Sequence, residues 1–339
     1  MSAAPEGIDI HAHGVPRQFL EDVRRSGLAG VTVEHSDGRY LVTFPGGEPL
    51  RPVAGNMLAF SERLAWLDEQ GMRQQLIGPW LDVHGQQLPA QNGQEWVRQL
   101  NDAMAEAVAG TGGRLRAHAT LHLANAAAAA VELERAATDL GMTGCMIPTH
   151  LPEGDLAESR YDALWEAAQS LGIPIVLHPP TVAPSNCLFG SEPGFRMIFG
   201  RLIDTTVTAA RLILAGVPAR FPELRLVLVH GGGFLPYQTG RFDREGAVDG
   251  ALPSDQVRRF YYDTVLLSAP ALRLLLELAG TGRVVIGSDY AAAPEERPSP
   301  GLTASLDELG PDEDTRRKVL WETAEELFGA GTRTHTREG

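Results

Sequence analysis

The chain has 339 residues, 43% of them hydrophobic, enough to bury a sizeable core and too apolar for an intrinsically disordered segment. A formal charge of −14 without any basic run argues against nucleic acid or an anionic membrane as partner. Two cysteines, Cys145 and Cys187, offer no disulfide framework and no zinc-ribbon spacing. With no signal-peptide pattern and no apolar stretch near the ~20 residues of a membrane span, the expected setting is the cytoplasm.

In chain order, Gly7–His13 is the first short apolar run, predicted as a strand. Residues 14–56 then break the pattern. There VTVEH and RYLVTF flank Ser36-Asp37-Gly38, which reads as a β-hairpin inserted after the first strand and placed to shape an active-site mouth. Seven further runs follow: Gln75–Pro79, Leu115–Leu123, Gly144–Pro148, Pro174–His178, Leu224–His230, Arg259–Thr264 and Val284–Asp289. Stretches with apolar residues at three- and four-residue steps lie between them, among them Asn125–Leu140, Arg160–Leu171 and Thr205–Ala215. Eight strands alternating with helices predict an α/β chain folded as a (β/α)8 TIM barrel. One domain is expected over 1–329, with 330–339 a flexible tail.

The histidines fall at the ends of these runs. His11 and His13 are two apart on the first strand, so they share a face. His178 ends the fifth run, His230 the sixth and Asp289 the eighth. The C-terminal ends of barrel strands converge on one funnel, so residues remote in sequence meet there. A lone buried histidine at a strand end is ordinarily a satisfied core residue. Three histidines and an acid at the same end of three strands are hard to obtain by accident. His11, His13, His178 and Asp289 are therefore predicted to hold one divalent metal ion, zinc first, with iron, manganese or cobalt also suited to imidazole and carboxylate. Such an ion lowers the pKa of a bound water toward ~7, and His230 is the candidate acid/base beside it.

Other histidines carry less. His84, His122 and His150 follow strands and are candidates for the rim; His118 reads as a core residue, His35 and His335 as surface. Cys145 reads as core. Cys187 lies in a loop without an adjacent base, which argues against a nucleophile.

Beyond these spacings, IDIHAHGVP, LAWLDEQGM, AAVELERAATDLGMTG, LWEAAQSLGIPIVLHP, TTVTAARLILAGVPARFPELRLVLVHGGGFLPYQTGR, FYYDT and VVIGSDY resemble the amidohydrolase superfamily. The similarity runs from Ile8 to about Gly329, and the branch is amidohydrolase-2, that of 2-amino-3-carboxymuconate 6-semialdehyde decarboxylase. The resemblance implies the same four metal ligands and a catalytic role for His230 and Asp289. It implies that Arg51 grips a substrate carboxylate and that Arg241 reaches the neighbouring site of a homodimer. The activity implied is non-oxidative decarboxylation of a small carboxylated conjugated or aromatic substrate, using a metal-bound water and His230. The alternative is a hydrolase or hydratase acting on a lactone, amide or activated double bond. The chain departs from the family in three places. Pro180 replaces an aromatic after His178-Pro179, Ala291-Ala292 replace a Pro-Phe pair, and His122 stands where proline is usual. Its His-x-His, in place of Glu-x-His, favours the zinc branch. These changes predict retained metal chemistry on a different substrate.

Overall fold

The computed structural model describes residues 6–181, 183–189, 194–244, 250–291 and 301–329. The expected tail, 330–339, lies outside them. Ten strands are present: β1 (Gly7–Gly14), β2 (Thr32–Ser36), β3 (Arg39–Thr43), β4 (Met72–Pro79), β5 (Leu115–Ala117), β6 (Cys145–Pro148), β7 (Ile175–His178), β8 (Leu226–Leu228), β9 (Tyr261–Asp263) and β10 (Val284–Val285).

Eight of them pair in parallel, as β1-β4-β5 and as β10-β9-β8-β7-β6. Two seams join these sheets into a ring. Ala119 pairs with Cys145 beyond the end of β5, and Ala12 of β1 pairs with Tyr290 beyond the end of β10. Parallel strands need crossovers, and helices such as Ala90–Val108, Ala126–Thr138, Asp162–Leu171 and Arg201–Leu214 supply them. Asn125 caps the alanine-rich helix by accepting a bond from the amide of Ala128 at 3.1 Å, so that run is a helix start.

The ring separates two apolar layers. Ile8, Ile10, Leu76, Met146, Val176, Val227, Tyr261 and Val285 fill its interior, joined by Leu327 and Phe328 from the last helix. A larger cluster lies between strands and helices. Between Asp9 and Ala12, β1 carries one residue more than β4. A bulge of this kind resets strand alternation. Ile8 and Ile10 can then face the interior while His11 and His13, of opposite parity, also face it.

Several strand boundaries differ from the sequence reading: β4 starts earlier, at Met72, and the sixth, seventh and eighth runs pair only over Leu226–Leu228, Tyr261–Asp263 and Val284–Val285. The third run pairs with β4 over Leu115–Ala117 and bridges Cys145 at Ala119, after which residues 120–123 leave the ladder and Thr120 and His122 bond to neighbouring elements. Segment 14–56 contains more than a hairpin: Gly14 belongs to β1, and the helix Arg17–Ser26 comes before β2. β2 and β3 are antiparallel, joined at Asp37 and Gly38 with φ of 51° and 73°. Two positive φ values are the signature of the type I′ turn that matches strand twist. Leu50 and Val53 donate backbone bonds to Val42 and Tyr40 (2.8 and 2.9 Å), laying the segment that bears Arg51 along β3.

Candidate metal centre

At the C-terminal end of the ring the side chains of His11, His13, His178 and Asp289 converge. One ligand atom from each lies within 4.8 Å of all the others. Asp289 Oδ1 is 2.9 Å from His13 Nε2, 3.2 Å from His11 Nε2 and 4.0 Å from His178 Nε2. The Nε2 atoms of His11 and His13 are 3.3 Å apart. The second ring nitrogens of two ligands are held from behind. His11 Nδ1 lies 2.6 Å from Asp263 Oδ2, and His178 Nδ1 donates to the Pro179 carbonyl at 2.9 Å. Each such bond turns Nε2 toward the cluster, as a lone-pair nitrogen on His178 and, on His11, as the nitrogen that a metal ion would deprotonate. His178 Nε2 is buried without a hydrogen-bond partner, which is costly unless an electrophile meets it.

Burial works against charge throughout the cluster. On His11 it is outweighed by Asp289 and Asp263, which hold the imidazole up to about 10. On His13 burial dominates and lowers the pKa to about 4, and it takes His178 well below the usual value. Burial alone would raise Asp289, but the surrounding imidazoles, His11 first, hold it well below the carboxylate range. Two neutral imidazoles and a carboxylate are already in the metal-binding form, and the proton on His11 is what a divalent cation displaces. Three imidazoles and one carboxylate fit such an ion.

His230 stands beside the four, its Nε2 3.6 Å from Asp289 Oδ2, its ring 5.2 Å from that of His178 and 5.4 Å from that of His11. Its Nδ1 is buried without a partner. His230 and Asp289 both take positive φ, 55° and 54°, a conformation costing of order 1–3 kcal/mol for a non-glycine residue. The loop after His230 needs its glycines. A Cβ on Gly233, at φ 65°, would collide with the backbone carbonyl of Leu202.

Arg51 lies outside this cluster. Its guanidinium stacks on Trp80 at 4.7 Å, with Nε 3.9 Å from Asp82 Oδ2 and the side chain 43% exposed. Arg241 is exposed on the short helix Thr239–Asp243 and forms no ion pair with a described carboxylate of its own chain. The lesser histidines divide. His84 is buried, donates from Nε2 to the Pro79 carbonyl at 3.0 Å and accepts from the Thr120 hydroxyl at 2.8 Å. His122 turns toward the helix Ala90–Val108, packs on Gly93 and donates to the Leu88 carbonyl at 3.1 Å. His118 bonds the Ile10 carbonyl across the barrel. His150 lines a separate cavity of about 220 Å³ with Asp204 and Arg211. Cys145 is buried in β6 and Cys187 is an exposed free thiol. Ala292 lies outside the described residues.

Two neighbours of the cluster escaped the sequence reading. Asp263 lies within FYYDT, and a signal was available in its place at the C-terminal end of a strand, where the other ligands fall. Arg201 starts the helix Arg201–Leu214 and reaches the loop after His178, which no spacing reveals.

A family model for amidohydrolases matches residues 8–330. The 2-amino-3-carboxymuconate-6-semialdehyde decarboxylase of Dictyostelium discoideum is 23% identical over 331 residues, 95% of this chain and 91% of that protein. The crystal structure of 5-carboxyvanillate decarboxylase from Sphingomonas paucimobilis superposes with a TM-score of 0.80 at 25% identity, covering 96% of this chain and 99% of that one. A dihydroxybenzoic acid decarboxylase from Polaromonas, solved with manganese and 2-nitroresorcinol, gives a TM-score of 0.77 at 22% identity over 95% and 96% of the two chains.

Proposed function

The chain belongs to the amidohydrolase family, and from that premise we propose that it is a metal-dependent, non-oxidative decarboxylase of a small aromatic or conjugated carboxylate. The observation that carries the proposal is the meeting of His11, His13, His178 and Asp289 within 4.8 Å, with His230 against Asp289. The names of the relatives supply the kind of reaction.

When bound by those four residues, a divalent ion supplies a Lewis acid that stabilises negative charge developing on the substrate. Zinc is the first expectation, and manganese suits the same donors. The remaining work falls to the chain. Arg51, fixed over Trp80, presents N–H donors to a substrate carboxylate. His230 moves the proton. The bond from carbon to carboxylate breaks, CO₂ leaves, and the electron pair left on the carbon takes a proton from the imidazole. Its strained backbone and unpartnered Nδ1 suit a group held for reaction more than for stability. Asp289, between His230 and the three ligands, positions both. The segment carrying Arg51 along β3 forms one wall of the mouth. Arg241 serves the second site of a homodimer.

The test joins metal analysis to a screen of aromatic and unsaturated carboxylic acids with direct CO₂ detection. CO₂ release that needs the metal and falls about 10²–10⁴-fold in His230→Asn is expected. Turnover of a lactone, amide or double bond without CO₂ would replace decarboxylation by hydrolysis or hydration. Unchanged turnover in a fully metallated His230→Asn would remove His230 from the mechanism.

A further inference from the structure

A second guanidinium lies at the loop that follows the metal ligand His178. Arg201 is half-buried, donates from Nη1 to the Pro179 carbonyl at 2.9 Å and from Nη2 to the Thr181 hydroxyl at 3.2 Å, and rests Nε on Met197 Sδ at 3.1 Å. The Pro179 carbonyl is also the acceptor that orients ligand His178, so Arg201 Nη1 and His178 Nδ1 are no more than about 6 Å apart. Thr181 in turn donates its amide to Asp82 Oδ1 at 3.3 Å, and Asp82 Oδ2 faces Arg51 at 3.9 Å. Arg51 and Arg201 thus flank one short loop, the one that leads away from a metal ligand.

Neither arginine is in a close ion pair with a described carboxylate. Asp82 stands between the two cations, 3.9 Å from Arg51, and no described carboxylate forms an ion pair with Arg201. Asp204, one turn further along its helix, is engaged by the amide and hydroxyl of Ser185 (3.3 and 2.6 Å). Burial lowers the pKa of the Arg51 guanidinium, Asp82 opposes that, and the like charge of Arg201 adds a smaller lowering, so the two arginines are near enough to repel. Holding two like charges near a cation site opposes folding unless an anion compensates them. Among the described residues, the three bonds of Arg201 leave one N–H on each terminal nitrogen without a partner, donors that a carboxylate can accept.

We propose that Arg201 is a second anion-recognition residue of this site, set against Arg51, and that the substrate is a small dicarboxylate. One acid group meets Arg51 and the other meets Arg201. This rests on the reading of the cluster as a metal-dependent active site. It does not depend on which bond is broken.

Titration calorimetry on the zinc-loaded protein tests it, with benzoate and the benzene-1,2-, 1,3- and 1,4-dicarboxylates as probes. At least one dicarboxylate binds about tenfold or more tightly than benzoate, as a charge-assisted hydrogen-bonded pair requires. Arg201→Gln removes that advantage while benzoate, whose one acid group meets Arg51, keeps its affinity and zinc stays bound, and Arg201→Lys restores part of it. Arg51→Gln weakens all four probes. Equal affinity for benzoate and every dicarboxylate overturns the proposal. So does a variant at Arg201 that weakens all probes alike, since that marks a residue that only holds the His178 loop. Selective dicarboxylate binding with no CO₂ from any acid would retain Arg201 and discard the decarboxylase reading.

Discussion

The residue on which most turns is one that binds no ion itself. Asp263 is fully buried and uses both oxygens: Oδ2 faces His11 Nδ1 at 2.6 Å, and Oδ1 accepts the amides of Gly231 and Val265 at 3.0 and 3.1 Å. Burial would raise its pKa, but His11 outweighs burial and keeps it ionised. The carboxylate therefore fixes the tautomer of His11 and, through Gly231, the start of the loop that strains His230. Asparagine is nearly isosteric but carries one amide nitrogen. Wherever that nitrogen turns, it meets a donor. Asp263→Asn is expected to weaken zinc binding about 10–100-fold, the usual effect of removing a carboxylate behind a metal-bound histidine. Competition against a chelator of known affinity measures it, and an unchanged dissociation constant would show that His11 needs no such support.

At the scale of elements, the ligand-bearing strands are tied together by a buried polar chain outside the barrel interior. Arg63 is fully buried at the start of the helix Arg63–Glu69, and burial brings its pKa down to about 10, so it remains charged at neutral pH. It donates to Gln75 Oε1 of β4 at 3.1 Å and to the carbonyls of His13 and Asn56. Gln75 passes the contact on to Asp9 of β1 at 2.7 Å. Asp9 then receives the Ser288 hydroxyl and amide at 2.6 and 3.0 Å and the His11 amide at 3.1 Å. One arginine and one aspartate thereby register β1, β4 and the turn that presents Asp289. Arg63→Leu is expected to destabilise by about 3 kcal/mol or more, because it strands the polar groups that arginine satisfied. Urea unfolding of the zinc-loaded protein measures this, and a loss below about 1 kcal/mol would make the chain incidental. None of it was legible in the sequence, where Arg63 and Asp9 are ordinary members of a helix and a strand. The positions of the eight apolar runs were legible, because strands covered on both faces read as continuous Val, Ile and Leu. Their lengths were not. The third run keeps a strand-like composition through Leu123, yet pairing stops after the single bridge at Ala119, since Thr120 and His122 bond to neighbouring elements. The bulge that turns His11 inward after Ile10 also leaves no trace in the letters. His-x-His, His178 and Asp289 stood out only because chemistry narrows the side chains able to ligate an ion.

For the molecule as a whole, the candidate centre lies on the seam where the chain's two ends close the ring. β10 pairs over only Val284–Val285, and closure onto β1 continues through single bonds: Ile10 to Ile286 at 3.0 Å, Asp289 to His11 at 2.8 Å and His13 to Tyr290 at 3.0 Å. His11 and His13 come from one side of this seam and Asp289 from the other. A cation shared among them crosslinks residues 276 positions apart, and it stabilises only the closed form, in which the ligands meet. Free zinc at 100 times its dissociation constant would add about 2.7 kcal/mol by mass action. At about 2–4 °C per kcal/mol, a value for chains somewhat smaller than this one, chelation should lower the melting temperature by about 5 °C. Differential scanning calorimetry with and without a chelator reads this, with zinc content measured on the same samples. His178→Ala, lacking one ligand but neither side of the seam, should show a smaller shift. A melting temperature that stays the same after zinc is shown to have left would mean that the ion does not fasten the ring, and that hydrogen bonds and the layer of Ile8, Ile10 and Val285 close it unaided.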